Sequence, residues 1–114
     1  MVPVYLPQAD FSIEALMDSG ANISIFHPDL AFRLRLKINK GSPIDLTGVG
    51  GRIRAYIHPL ELEIGSRRFI TYVAFSEDFK VSLNILGRRD VFEQFRITFD
   101  ERKKQIVLTD WTLE

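Results

Sequence analysis

One acidic residue interrupts an apolar run near the start of this chain. Residues 15–17 are apolar, and Asp18, Ser19 and Gly20 follow them directly. A buried carboxylate without a partner is costly, so an aspartate here either ends a strand in a turn or serves chemistry. Asp, Ser and Gly are ordinary turn residues, so an Asx-turn is one interpretation. The other is a carboxylate that takes and gives protons in catalysis.

A glycine-dense segment lies about thirty residues further along. It separates two apolar-alternating stretches at 44–47 and 52–57, a pattern that predicts a β-hairpin. The tip of this hairpin consists of Gly48, Val49, Gly50 and Gly51. No Lys-Ser or Lys-Thr pair follows the tip and no helix opens there, which excludes a phosphate-binding loop. Taken alone, the tip predicts only a hairpin turn.

A third segment joins an apolar strand to a glycine and a basic residue. Its residues are Ile85, Leu86, Gly87 and Arg88. The stretch at 88–95 is predicted to form a helix with three apolar side chains on one face. An apolar strand followed by a helix therefore occurs twice, at 15–36 and at 84–95. The repetition suggests two halves related by a pseudo-twofold axis, although the third segment alone is typical of any core strand that meets a turn.

The elements that must position these segments are mostly strands. Period-two alternation and turn residues predict strands throughout the chain, and a short helix is predicted to begin at His27, Pro28 and Asp29. About eight or nine short strands are predicted, over 2–6, 11–17, 23–25, 44–47, 52–64, 69–75, 81–86, 96–99 and 105–108. The sequence therefore predicts a mostly-β domain with two short helices.

Composition narrows the class of protein. The 114 residues fit one domain, 1–114, and 46% hydrophobic residues can build its core. Fifteen basic and fifteen acidic residues cancel, which argues against nucleic acid and against a charged membrane surface. The chain has no cysteine, and His27 and His58 lack acids at ligand spacing, so we expect no metal. Without an apolar span or a signal-like start, we expect a soluble, cytoplasmic protein.

The three segments, in this order and at these separations, resemble the retropepsins. These are the single-domain aspartic proteases of retroviruses, which have cellular and bacterial relatives. The resemblance extends over residues 2–108. It implies a retropepsin-like acid-protease fold: a closed, barrel-like half-lobe with a flap hairpin and one or two short helices. It also implies an aspartic endopeptidase that needs no cofactor and acts on peptide or protein substrates.

The resemblance gives Asp18 the catalytic role. Peptide hydrolysis without a metal or covalent intermediate needs two carboxylates that share a proton, one acting as base and the other as acid. Only one Asp-Ser-Gly occurs in the chain, and no acid stands at the equivalent position near Asn84. One chain therefore holds half of the pair, and the resemblance implies a symmetric homodimer in which two copies of Asp18 meet on the twofold axis.

The resemblance assigns supporting roles to the neighbouring residues. Ser19 is expected to anchor the loop across the dimer, and Gly20 lets the backbone approach substrate. The substrate-binding residues are expected to be Ala21, Asn22, Gly48, Val49, Gly50, Gly51 and Leu83. The structural support is expected from Ile85, Leu86, Gly87 and Arg88. Viral members often carry an acid at the position of Asn22 that pairs with the arginine. Asn22 cannot form that pair, which leaves the partner of Arg88 open.

Two other interpretations fit the same residues. The chain could be a non-catalytic retropepsin-fold dimerisation or peptide-binding module, in which the two Asp18 carboxylates never meet. It could also be an isolated β domain that matches the three segments by coincidence. A complete Asp-Ser-Gly fits both the enzyme and the module, so the sequence does not separate those two.

Overall fold

A computed structural model of the chain describes residues 1–48, 51–78 and 82–110. Within them the strands are β1 (Val2–Leu6), β2 (Phe11–Met17), β3 (Ser24–Phe26), β4 (Ser42–Gly48), β5 (Gly51–Ile64), β6 (Arg67–Phe75), β7 (Asn84–Leu86), β8 (Phe95–Asp100) and β9 (Gln105–Asp110). The helices are α1 (Pro28–Arg33) and two 3-10 helices, Ile38–Lys40 and Phe92–Gln94. Strands dominate, as the sequence predicts.

Seven strands form one sheet, and six of them close into a barrel. The order is β1-β2-β7-β3-β6-β5-β4, and β1 also pairs with β5. That last pairing has a single register position, Tyr5 opposite Glu63. The side chain of Gln8 extends it, because its amide donates to the Glu61 carbonyl and accepts from the Glu61 amide, both at 3.0 Å. Strand β4 remains outside the ring, at the edge of the sheet.

The barrel encloses the main apolar core. Its largest fully buried side chains include Phe26, Phe75, Leu62 and Leu86. The rings of Phe26 and Phe75 pack edge-to-face, with their centroids 6.4 Å apart, which is a favourable aromatic arrangement. Strands β8 and β9 form a separate two-stranded sheet. Partly buried side chains of this sheet pack against the main core, which ties it to the barrel.

Strand boundaries follow the pattern in the sequence closely. Strands β1 and β2 begin and end at the predicted residues, and the predicted hairpin is the β4–β5 pair, in register from Ser42 opposite Ile57 to Gly48 opposite Gly51. Val49 and Gly50, at its predicted tip, lie outside the described residues. The turn between β5 and β6 has two residues and uses Gly65 at φ 59°, a left-handed conformation that glycine adopts without strain.

The first helix begins where predicted and ends earlier. The His27 ring accepts a hydrogen bond from the Asp29 amide at 3.1 Å, and Pro28 occupies the first turn. The helix ends at Arg33, and Arg35 has φ 59°. Phe32 is 88% exposed, so the apolar spacing does not place every large side chain in the core.

The prediction of a helix over 88–95 is wrong, because only a short 3-10 helix forms in this segment. The chain makes a turn there and then the 3-10 helix Phe92–Gln94. Asp90 has φ 65°, which breaks a right-handed helix within its first turn. Its carboxylate accepts a hydrogen bond from the buried Thr71 hydroxyl at 3.2 Å, and this tertiary contact overrides the apolar spacing. Val91 and Phe95 are nevertheless buried, as the predicted apolar face requires.

Candidate active site

Asp18 lies in the loop that follows β2, where the strand leaves the barrel. Its side chain is half-buried, and Oδ1 accepts a hydrogen bond from the Gly20 amide at 2.9 Å. The Ala21 amide donates to the Asp18 carbonyl at 3.1 Å, which closes a tight turn. The turn chemistry expected of Asp-Ser-Gly is therefore present. The turn also holds the carboxylate at the surface with one oxygen fixed by the backbone.

A second loop, after β7, is hydrogen-bonded to the Asp18 loop. Strand β7 runs parallel to β2, with Met17 opposite Leu86, and the Asp18 amide donates to the Leu86 carbonyl at 3.0 Å. The Arg88 amide donates to Ala21 at 2.8 Å, and the Arg89 amide donates to Asn22 at 3.0 Å. We call residues 18–22 and 86–89 the loop pair. These backbone bonds fix the position of Asp18 relative to the barrel.

Gly87 lets the two loops approach this closely. A Cβ at this position would lie 2.4 Å from the carbonyl carbon of Ile23 and 2.7 Å from its nitrogen, far inside van der Waals contact. The Gly87 amide donates to the Ser24 hydroxyl at 3.0 Å, and Ser24 is fully buried. The glycine of the third sequence segment is thus required by packing against β3 and its preceding residue.

Arg88 has a backbone partner in the Asp18 loop. Its Nη1 lies 3.5 Å from the Ser19 carbonyl oxygen, and its guanidinium lies 5.3 Å from the centre of the Phe92 ring. Asn22 is exposed and contributes its carbonyl, not its side chain, to the loop pair. The question left open by the sequence therefore has an answer within the described chain: Arg88 reaches the loop backbone beside Asp18.

The predicted substrate-binding residues fall into two groups. Ala21 and Asn22 lie in the Asp18 loop, and Gly48 and Gly51 end the paired part of the hairpin. Leu83 is 38% exposed and immediately precedes β7, next to the loop pair in sequence. Their roles in binding stay predictions. Val49 and Gly50 lie outside the described residues.

The hairpin β4–β5 turns an apolar face towards the strands that carry the loop pair. Ile25, Ala55 and Ala74 are buried together in a second cluster, apart from the barrel core. The partly buried side chains packed against this cluster are Ile44, Leu46, Ile53 and Ile85. Ile25 of β3 is opposite Ile85 of β7. A continuous apolar surface therefore runs from the hairpin to the strand that ends beside Asp18.

Two residues that support the site were not predicted. Ser24 binds the Gly87 amide, and the side chain of Asn84 joins two elements: its Oδ1 accepts from the His27 amide at 2.8 Å and its Nδ2 donates to Glu14 at 3.2 Å. A small polar residue inside an apolar strand is the only signal the sequence offers for Ser24. The side-chain amide of Asn84 thus bridges β2 to the residue that follows β3.

A large groove lies elsewhere. It has a volume of about 520 Å³ and is lined by residues of α1, the 3-10 helix Ile38–Lys40, β5 and the loop after β6. None of the predicted site residues lines it. Within 1–48, 51–78 and 82–110, no three histidine, aspartate or glutamate side chains are grouped as a metal would require, and the expectation of no metal stays a prediction. Among the same residues, no helix has the length and apolar character needed to cross a membrane.

Comparison with known proteins identifies the family. The family model described as aspartyl protease matches residues 2–90, which include the Asp18 loop, the hairpin and the loop after β7. The chain belongs to this aspartyl protease family. A search of the curated proteins found no match.

Solved structures show that the aspartyl protease has the retropepsin fold. It is similar to a retropepsin-like aspartic protease from Rickettsia conorii, with a TM-score of 0.73, 17% identity, and coverage of 94% of this chain and 86% of that one. It is also similar to the EIAV protease in complex with the inhibitor HBY-793, with a TM-score of 0.63, 23% identity, and coverage of 80% and 82%. The fold expected from the sequence is confirmed.

Proposed function

We propose that this aspartyl protease is an endopeptidase that works as a symmetric homodimer, with Asp18 of each copy forming the catalytic pair. The observation that carries the proposal is the fixed, half-exposed carboxylate of Asp18, which has no second carboxylate beside it in its own loop pair. A lone carboxylate cannot act as acid and base in the same step. A second copy of the chain supplies the second carboxylate from its own Asp18, so no other acidic residue is needed.

The chemistry follows from the shared proton of the pair. Two close carboxylates cannot both ionise easily, so one stays protonated and the other does not. The ionised one takes a proton from water, and the resulting hydroxide attacks the peptide carbonyl. The protonated one polarises the carbonyl oxygen, and a proton then reaches the leaving nitrogen. Peptide and water become a carboxylic acid and an amine, so atoms balance without a cofactor.

The apolar cluster under the hairpin supports extended, largely apolar peptides as substrates. Ile85 and Ile25 lie on strands next to the loop pair, and Leu46 and Ile53 of the hairpin pack against the same apolar cluster. An extended peptide between the hairpin and Asp18 adds main-chain hydrogen bonds as a strand does, and its side chains fill apolar sites. Glycines 48 and 51 at the end of the hairpin pairing keep side chains out of its path.

The exposed side chains of the two-stranded sheet β8–β9 support the proposal of a dimer. Strand β1 pairs with β2 along its whole length, so the N-terminal strand is used inside the barrel. Strands β8 and β9 pair with each other and belong to no larger sheet within the described residues. Phe99 and Val107 are 47% and 44% exposed on this sheet. A sheet of only two strands gains stability when further strands extend it, and in the proposed dimer a second copy provides them.

The test combines cleavage with oligomeric state. Asp18→Asn should reduce cleavage of an extended apolar peptide by at least about 10³-fold at about pH 4–6, the range of a shared-proton pair. Asp29→Asn is the matched control, because Asp29 is a 91% exposed carboxylate in α1. It should cleave as the unmodified chain does. Activity that survives Asp18→Asn would remove Asp18 from the mechanism.

Mixing the two forms tests the shared site. If each dimer needs two intact aspartates, random exchange with an equal amount of Asp18→Asn should leave roughly half of the activity per wild-type protomer. Sedimentation at the assay concentration should give a dimer. A monomer that cleaves would contradict the homodimer, and a stable dimer that cleaves nothing would favour the peptide-binding module.

A further inference from the structure

The hairpin β4–β5 is attached to the barrel through one strand only. Strand β5 pairs with β4 from Gly51 to Ile57 and with β6 from Tyr56 to Ile64, so it changes neighbours near Tyr56. Strand β4 is at the edge of the sheet. We call residues 42–48 and 51–55 the ribbon. The ribbon extends past the end of β6. We call the point near Tyr56 where β5 changes its pairing from β4 to β6 the crossing, and the direction of the ribbon depends on what holds β5 there.

Ser76 holds β5 at the crossing. Strand β6 ends at Phe75, and the next residue, Ser76, is fully buried. Its hydroxyl donates to the Arg54 carbonyl at 2.6 Å and accepts from the Asp78 amide at 3.1 Å. The hydroxyl thus takes the place of the next amide that β6 would have offered. It joins the ribbon to the loop after β6 at the point where the regular ladder stops.

The other strand of the ribbon is held at its root by packing. A Cβ on Gly41 would lie 2.5 Å from the Ile57 carbonyl and 2.6 Å from Nε2 of His58. His58 is buried, with Nε2 2.9 Å from the Ile38 carbonyl. The groove of about 520 Å³ opens beside the crossing, between Tyr56, Asp78 and α1. The root is therefore fixed, whereas the crossing has open space on one side.

We infer that Ser76 is a positioning residue that sets the angle of the ribbon relative to β7, the strand whose Ile85 packs in the same apolar cluster and leads into the loop pair. Without the hydroxyl, the Arg54 carbonyl loses its partner and β5 is free to pivot towards the groove. Leu46 and Ile53 would then move relative to Ile85, and the apolar surface that receives a peptide would change. The effect on cleavage rests on the proposed function. The effect on the ribbon does not.

Hydrogen exchange of the full chain tests the structural part. Ser76→Ala should raise the exchange of ribbon amides about fivefold to tenfold, the loss of about one hydrogen bond, with β1 and β2 unchanged. Thr71→Val is the matched control, since Thr71 is a buried hydroxyl on β6 that donates to Asp90, outside the ribbon. It should not change ribbon exchange. Equal exchange in all strands, or unchanged ribbon exchange, would overturn the inference.

Steady-state kinetics test the consequence for the reaction. Ser76→Ala should raise KM about fivefold and change kcat by less than about twofold, because the hydroxyl acts on the binding surface and not on the carboxylates. An equal loss of kcat with KM unchanged would contradict this role. If the unmodified chain cleaves no peptide, the proposed function fails while the exchange experiment still decides the inference. If Ser76→Ala does not fold, Ser76→Cys replaces it in the exchange experiment. The thiol is a weaker donor than the hydroxyl, so ribbon exchange should rise by an intermediate amount. Exchange equal to that of the unmodified chain would count against the inference.

Discussion

The loop pair and the ribbon are held to the barrel in different ways. In the loop pair, the amides of Asp18, Arg88 and Arg89 all donate to backbone carbonyls of the facing loop, and Gly87 and Ser24 add a packed contact beneath them. At the crossing of the ribbon, one hydroxyl, that of Ser76, makes the bond beyond the end of β6. The ribbon contributes Ala55 to the second apolar cluster, and Ile85, which packs against that cluster, immediately precedes the loop pair.

This difference fits the chemistry that we propose. A carboxylate that must meet its symmetry mate within hydrogen-bond distance needs a fixed backbone, because small displacements are costly for catalysis. A segment that covers a peptide must let it enter and leave, and such segments come from the less stable part of a fold. The comparison therefore predicts that changes under the loop pair cost global stability, whereas changes in the ribbon act locally.

The largest effect is expected from Gly87→Ala. The new Cβ would meet three backbone atoms of Ile23 within 2.7 Å. The segment after β7 cannot move away without disturbing the β2–β7 pairing, and Ile23 cannot move away without disturbing β3, which pairs with β6 and β7. We expect the free energy of unfolding to fall by about 3 kcal/mol, measured by urea denaturation at fixed protein concentration. Gly20→Ala is the matched control, since its Cβ would meet only Asp18 Oδ1 at 3.2 Å. It should stay within about 0.5 kcal/mol of the unmodified chain.

A smaller effect is expected from Ser24→Ala. Removal of the hydroxyl leaves the Gly87 amide without its acceptor inside the protein, which costs about 1–3 kcal/mol. The same measurement on Ser12→Ala, an exposed serine on β2, should give no change. If Ser24→Ala instead leaves global stability unchanged and raises exchange only in the ribbon, the distinction between the two regions is wrong.

The smallest effect is expected from Asp45→Asn. Asp45 and Arg54 form an ion pair across the ribbon at 2.7 Å, and both side chains are about half exposed. The hydrogen bond to Asp45 and the charge of that carboxylate raise the pKa of Arg54, so Arg54 stays charged. We expect the urea midpoint to stay the same, with a slight rise in exchange at residues 44–47 that salt abolishes. A clear loss of global stability would mean that the ribbon is anchored by its charges.

The sequence predicts those parts of the fold that depend on local pattern. Alternation predicts β1, β2 and the β4–β5 hairpin, because each strand has an antiparallel neighbour close in sequence and turns one face to an apolar core. The helix at 88–95 could not be excluded in this way. The backbone breaks from a helical path at Asp90, whose side chain contacts Thr71, a residue distant in sequence. Strand β7 likewise begins at Asn84, later than its alternation suggests.

The candidate site is predicted by its motifs and not by its contacts. Three short segments in a known order indicate where Asp18, the hairpin and Gly87 belong in the fold. The bonds from Arg88 to Ala21 and Ser19 follow from the parallel pairing of β2 and β7, which no local pattern encodes. Ser76 gives no signal at all, because a serine after a strand is typical of any polar loop.

The open edge of β4 has a consequence for how the chain behaves at high concentration. The outer edge of β4, which has seven residues and pairs with β5 on its other side, offers amides and carbonyls to any other strand, which is a route to fibrous association. Pro43 removes one of these amides near the start of the strand, and the charged pair of Asp45 with Arg54 lies across its middle. The edge that leaves one side of the ribbon without a strand partner is thereby made a poor template for polymerisation.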